Sequence, residues 1–268
     1  MAVSDRKLIA VDERGKAGYI SYMKKNIIII FAFPVFVLLS GACTVRQDIT
    51  LLAGAEGAAR LEAELHPVFM AYYTDLASGF DSSFDPANPR YFNMEAIAAG
   101  FQRNTELRLN SADSPRPGRL VLDFHIRDIS AAIRNETKAA QNIISRSREA
   151  GGETLSIRLN RDNLASLLRV IPEADSALAK MLLPPENAAI SENEYIDHLA
   201  WALEDYAKGE KIEDILKSSV MNLLIKTPGK IVSQTGGKLR NEREVSFEIS
   251  IPQLLTLEKP VEFSVRYQ

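Results

Sequence analysis

Val245-Ser246-Phe247-Glu248-Ile249-Ser250-Ile251 alternates apolar and polar side chains without a break, and Val261-Glu262-Phe263-Ser264-Val265-Arg266 repeats the pattern. Successive side chains on a strand point to opposite faces, so this alternation predicts two strands with one buried face each. Met221 to Ile225 and Lys230-Ile231-Val232-Ser233-Gln234 add strand signals just before them, and Gly236-Gly237 offers a turn. A comparable set stands near the other end of the chain. Val45, Gln47, Ile49 and Leu51 share one face, Ala53 to Gly57 turns, and Ala59, Leu61, Ala63 and Leu65 alternate against Arg60, Glu62 and Glu64. That is a hairpin.

Helices separate the two sets. Val68, Phe69, Tyr72 and Leu76 fit one helical face from Pro67 to Gly79, and a short helix follows over Met94, Ile97, Ala98 and Phe101. A second meander runs from Glu106 to Asn110, turns at Ser114 to Gly118, and returns over Leu120 to Ile126. Ile143 to Arg148 and Thr154 to Leu159 about Gly151-Gly152 predict a further hairpin, although Glu136 to Ser147 also fits a helix. Residues 161–218 read as helical throughout. Leu164, Leu167, Leu168 and Ile171 form one stripe and Leu178, Met181 and Leu182 another, up to Pro184-Pro185. Ser191-Glu192-Asn193-Glu194 is a capping box. The helix it opens carries Tyr195, Leu199, Ala202 and Tyr206 on one side, with Trp201 near that apolar face. Ile212, Ile215 and Leu216 mark another helix. The expected fold class is α+β: an antiparallel sheet built from N-terminal and C-terminal strands, with a helical insertion over about 161–218.

The first 42 residues differ from the rest. Met23-Lys24-Lys25-Asn26 precedes Ile27 to Leu39, a run without charge, and Ser40-Gly41-Ala42 leads into Cys43. Two lysines, an apolar core and small residues match the layout of a secretory signal. With Cys43 the segment resembles the lipobox of bacterial lipoproteins. It is a relaxed form, since Leu39 stands one place further from the cysteine than in the strict pattern and Ser40 takes its position. The resemblance implies diacylglycerol on the Cys43 thiol, cleavage on its amino side and anchoring by acyl chains, each buried methylene contributing about 0.8 kcal/mol. The alternative is a retained helix, because Asn26 to Val45 approaches the roughly 20 residues of a membrane span. Against it stand the shortness of the strongly apolar part and Pro34 within it. Residues 1–42 thus read as an upstream extension plus signal peptide that is removed, with Met23 the natural start. Residues 43–268 read as a single envelope domain, membrane-anchored by lipid and facing periplasm or exterior.

The chain is 46% hydrophobic and 25% charged, within the range of folded soluble domains. It carries 32 basic and 35 acidic side chains, six and three of them in residues 1–42, so residues 43–268 are acidic by about six charges. An acidic body without a basic stripe has no electrostatic footing on nucleic acid. Its one cysteine allows no disulfide within the chain, so the fold rests on its core.

No catalytic, cofactor-binding or metal-binding residue stands out. His66, His125 and His198 are scattered, and no nucleophile-elbow, Rossmann or phosphate-loop motif is present. Asp81, Asp85 and Asn88 lack the spacing of a calcium loop. No enzyme activity is therefore expected. The partners expected instead are the membrane through the anchor and a lipid, glycolipid or envelope protein. An alternative is an accessory that docks onto a larger envelope complex. The aliphatic helices around 164–224 line either an apolar groove or only the core.

Cys43 with the hairpin from Val45 to Leu65, together with Gly229-Lys230-Ile231-Val232-Ser233-Gln234-Thr235-Gly236-Gly237 running into Val245 to Ile249, is similar in order to the LppM-type lipoprotein domain. The resemblance implies an envelope lipoprotein of α+β fold without established enzyme activity. It adds no catalytic residue and does not extend to the helical middle.

Overall fold

The computed structural model describes residues 10–11, 17–18, 42–80, 84–134, 141, 143–149, 151–168, 183–184 and 190–268. Ala10–Val11 and Ala17–Gly18 form a two-residue ladder. Most of the expected signal peptide lies outside the described residues, as do Ile171, Leu178, Met181 and Leu182. Among the described residues there are seven α-helices and eleven strands in the body that starts at Ala42. The expected α+β class is borne out.

Strand β1 (Ala42–Leu51) turns through Gly54 into β2 (Gly57–Leu65), pairing antiparallel with Val45 opposite Ala63 and Ile49 opposite Ala59. Helix α1 (Pro67–Phe80) and helix α2 (Met94–Arg103) follow. Then β3 (Leu107–Arg116) and β4 (Arg119–Ile126) form the second meander, β4 lying against β2. The turn is tighter than the sequence predicts, because Ser114, Pro115 and Arg116 still belong to β3. Pro115 is tolerated there because β3 is an outer strand of its sheet and its ladder slips between Asp113 and Arg116. Short helix α3 (Ile129–Arg134) leads to β5 (Ile144–Glu149) and β6 (Gly152–Leu159), so the segment from Ile144 is strand rather than helix.

Among the described residues the helical insertion comprises α4 (Arg161–Leu168), α5 (Glu192–Leu203) with a 3-10 turn at Glu204–Tyr206, and α6 (Ile212–Ser218). Strands β7 (Val220–Lys226), β8 (Ile231–Thr235), β9 (Lys238–Asn241) and β10 (Glu244–Ser250) follow. Ile251 ends the alternation by opening helix α7 (Ile251–Thr256), capped by the Ser250 hydroxyl, instead of extending β10. The helix starts there because Pro252 fits its first turn but has no N–H to give a ladder. Strand β11 (Val261–Tyr267) closes the chain's described part.

The seven-stranded sheet has the order β9-β10-β7-β1-β2-β4-β3. β1 and β7 run parallel, Val45 beside Met221 and Ile49 beside Ile225, so the N-terminal and C-terminal sets share this sheet. The last strand does not. β11 joins a four-stranded sheet of order β8-β11-β6-β5. The alternation of 261–266 fixes its faces correctly but carries no information about which sheet it joins. The chain passes between sheets at Gly236-Gly237. Gly236 has φ +77°, and a Cβ on Gly237 would lie 2.6 Å from the Phe247 ring. Glycine is required there.

The inner faces of both sheets and the apolar sides of the helices form one core, with Val45, Leu120, Leu122, Val245 and Val265 wholly buried. The rings of Phe247 on β10 and Phe263 on β11 lie 4.8 Å apart across the gap between sheets. Gln47, also wholly buried, keeps the β1 alternation despite its polarity.

Candidate functional site

β5 and β6 turn tightly at Gly151 and Gly152, both with positive φ, so that Arg148 stands directly opposite Glu153. On the other side of β6, Glu153 is paired in register with Tyr267 of β11. Arg146 lies on the same face of β5 as Arg148, one alternation back. Three neighbouring strands therefore bring four polar side chains to one point.

Glu153 is the centre of the cluster, with its side chain only 11% exposed. One carboxylate oxygen accepts from Arg148 Nε at 2.7 Å, and the other accepts from Arg146 Nε at 3.1 Å and from the Tyr267 hydroxyl at 2.7 Å. The Nη2 atoms of both arginines also contact the carboxylate. Arg146 Nη2 donates further to the Gly54 carbonyl at 2.8 Å, which ties this sheet to the β1–β2 turn of the other. Burial alone would raise the Glu153 carboxyl, but the hydrogen bonds from Tyr267, Arg146 and Arg148 outweigh it and hold it below the usual carboxylate range. Burial first, and then the bond to Glu153, push the Tyr267 phenol up to about 12.

Beside the cluster opens a depression of about 610 Å³, lined by Leu52, Gly54, Arg148, Gly152, Gly229 and Tyr267 among others. Gly152 cannot be replaced without moving backbone, since a Cβ there would lie 2.6 Å from the Tyr267 carbonyl oxygen. Arg148 is 74% exposed, so its guanidinium bonds Glu153 with one edge and faces solvent with the rest. Chemically the arrangement offers one cationic edge and glycine backbone, suited to holding a polar or anionic group. Glu153 is ionised and engaged on both oxygens, and Tyr267 keeps its proton, so neither is a ready base.

Of the predicted positions, Cys43 is the second residue of β1. The pairing with β2 slips between Ala42, opposite Leu65, and Thr44, opposite Glu64, leaving Cys43 as the extra residue near the start of the ladder. Its side chain lies outside the described residues. The three histidines are not brought together. His66 Nδ1 accepts from the Val68 N–H at 3.4 Å, His125 Nε2 lies 4.0 Å from Glu56, and His198 is exposed on α5. Among the described residues no group of His, Cys, Asp and Glu is placed to hold a metal ion. Asp85 caps its own turn by accepting from the Ala87 N–H at 3.0 Å, while Asp81 lies outside the described residues. Among the described residues no helix is long and apolar enough to cross a membrane, and the run from Ile27 to Leu39 is not among them.

Sequence reasoning missed the Glu153 cluster. Arg146 and Arg148 at alternate positions, with Glu153 just past a Gly-Gly turn, did signal a cross-strand ion pair, but Tyr267 is distant in sequence. It also misplaced Trp201, which is 76% exposed. The buried face of α5 is Tyr195, Ile196, Leu199 and Leu203. Trp201 stands two residues from Leu199, about 200° around the helix.

No protein-family model matches the chain, and no curated protein matches it. Its structure is similar to the folded domain of LppM from Mycobacterium tuberculosis, solved by NMR, at 10% identity over 84% of this chain and 88% of that one, with a TM-score of 0.37. A likeness this distant carries no argument, and no family is assigned.

Proposed function

We propose that the chain is a non-enzymatic bacterial envelope lipoprotein, anchored by lipid on Cys43, whose body binds a lipid, a glycolipid or a protein partner. The observation that carries this reading is the run Lys24 to Leu39 followed by small residues and Cys43, which is the second residue of the first strand of the folded body. With Cys43 already in β1, an acyl group on it would be joined to the sheet with almost no linker. The ten residues of β1 span roughly 30 Å at about 3.3 Å each. That would carry the depression beside Leu52 and Gly54 away from the anchored end, open to a ligand in the aqueous space.

The exposed Trp201 favours a second reading, in which the body docks onto a larger envelope complex. The anchor is tested by Cys43→Ala in the native host. The proposal expects the parent protein in the membrane fraction, extracted only by detergent, and the variant released or left as full-length precursor. A variant that stays membrane-bound after processing would refute it.

A further inference from the structure

Trp201 is the sole tryptophan of the chain and, among the described residues, the most exposed large apolar side chain, ahead of Leu239 at 54% and Val232 at 46%. It stands on the outward side of α5, while the opposite side of that helix is seated in the core through Tyr195, Ile196, Leu199 and Leu203. On a helix its surface neighbours are three and four residues away. On α5 these are Asp197 and His198, and Glu204 and Asp205 follow in the 3-10 turn, all exposed. Asp197, Glu204 and Asp205 take no part in any ion pair among the described residues. No lysine or arginine occurs between Lys180 and Lys208, so nothing within this segment balances them. Glu204 and Asp205 also follow the carboxyl end of α5, where the helix dipole disfavours negative charge. Asp75 of α1, by contrast, is engaged away from this face, accepting a hydrogen bond from Tyr206 at 2.6 Å.

Nothing in the folding of α5 requires an indole in water beside carboxylates. Tryptophan is enriched at the energetic centres of protein contacts, and its ring attracts cations over its face. We propose that the outward face of α5, centred on Trp201 and bordered by Asp197, Glu204 and Asp205, is a docking surface for a lysine- or arginine-rich segment of a partner protein. The charge selects the occupant. A basic segment meets the carboxylates and stacks on the indole, whereas an anionic lipid surface is repelled by the same carboxylates. This deepens the docking reading above and does not depend on lipid at Cys43.

The test uses the full chain in detergent micelles, with an oligoarginine peptide as probe. Emission of Trp201 in the free protein reports a water-exposed indole, and the peptide changes it saturably, less so as salt rises. Measured by anisotropy of a labelled peptide, Trp201→Ala weakens binding about two- to fivefold. Paired Asp197→Asn and Asp205→Asn weaken it further, and Glu242→Gln, on the distant β9–β10 turn, leaves it unchanged. The proposal is overturned by a buried-type emission in the free protein, by unchanged affinity in Trp201→Ala, or by an equal loss in Glu242→Gln. A response to phosphatidylglycerol vesicles in place of the peptide overturns it in favour of a membrane contact. Cys43 acylation is read separately, so loss of either result leaves the other standing.

Discussion

Glu153 links β5, β6 and β11 through a single carboxylate, and its behaviour with pH is a direct consequence. Its folded pKa is depressed, so it contributes stability above the ordinary carboxylate range, and that contribution is lost as pH falls through the depressed value. Glu153→Gln keeps the shape but removes the charge opposing Arg146, whose side chain is as buried as that of Glu153. The expected cost at neutral pH is up to about 3 kcal/mol in urea unfolding. The gap between parent and variant should narrow at acid pH, where the parent carboxylate takes up its proton. Parallel stability curves from neutral to acid pH would remove Glu153 from the account. Cys43 shows the reverse relation of sequence to structure: the role proposed for it is read from what precedes it in the chain, whereas Glu153 becomes visible only through what surrounds it in space.

Helix α5 shows how far local pattern reaches. Its start was legible, because a capping box is a contact between residues three apart. Both bonds form, the Ser191 hydroxyl accepting from the Glu194 N–H at 3.2 Å and the Glu194 carboxylate accepting from the Ser191 N–H at 2.8 Å. Ser191→Ala should cost about 1 kcal/mol, read as a shift of the unfolding midpoint with an unchanged slope. No shift would mean that water replaces the cap in full. Its rotation about its own axis was not legible. Tyr195 and Leu199 fit either of two apolar stripes, and the packing of α1, α6 and α7 selects the one through Ile196 and Leu203, which turns Trp201 outward. Hairpins were read well for the same reason as the cap. Their partners are near in sequence, and burial alternates as the side chains do.

At the scale of the whole molecule, the sharing of one sheet by strands before and after the helical insertion followed from strand signals flanking helices, although the last strand joins the other sheet. The four-stranded sheet did not follow. Period-two alternation gives β10 and β11 the same signature, and the step between sheets at Gly236-Gly237 rests on a glycine whose need appears only when Phe247 is in place. The resulting body sets Cys43 and the Leu52–Gly54 turn at opposite ends of β1. A lipid on the first would fix which way the molecule stands, and every functional consequence proposed for the depression follows from that orientation. The most direct measurement is the mass of the amino-terminal peptide of the protein isolated from its host after growth with labelled palmitate. The account predicts a peptide beginning at Cys43, carrying acyl chains and label. An unlabelled peptide that begins upstream of Cys43 would contradict it.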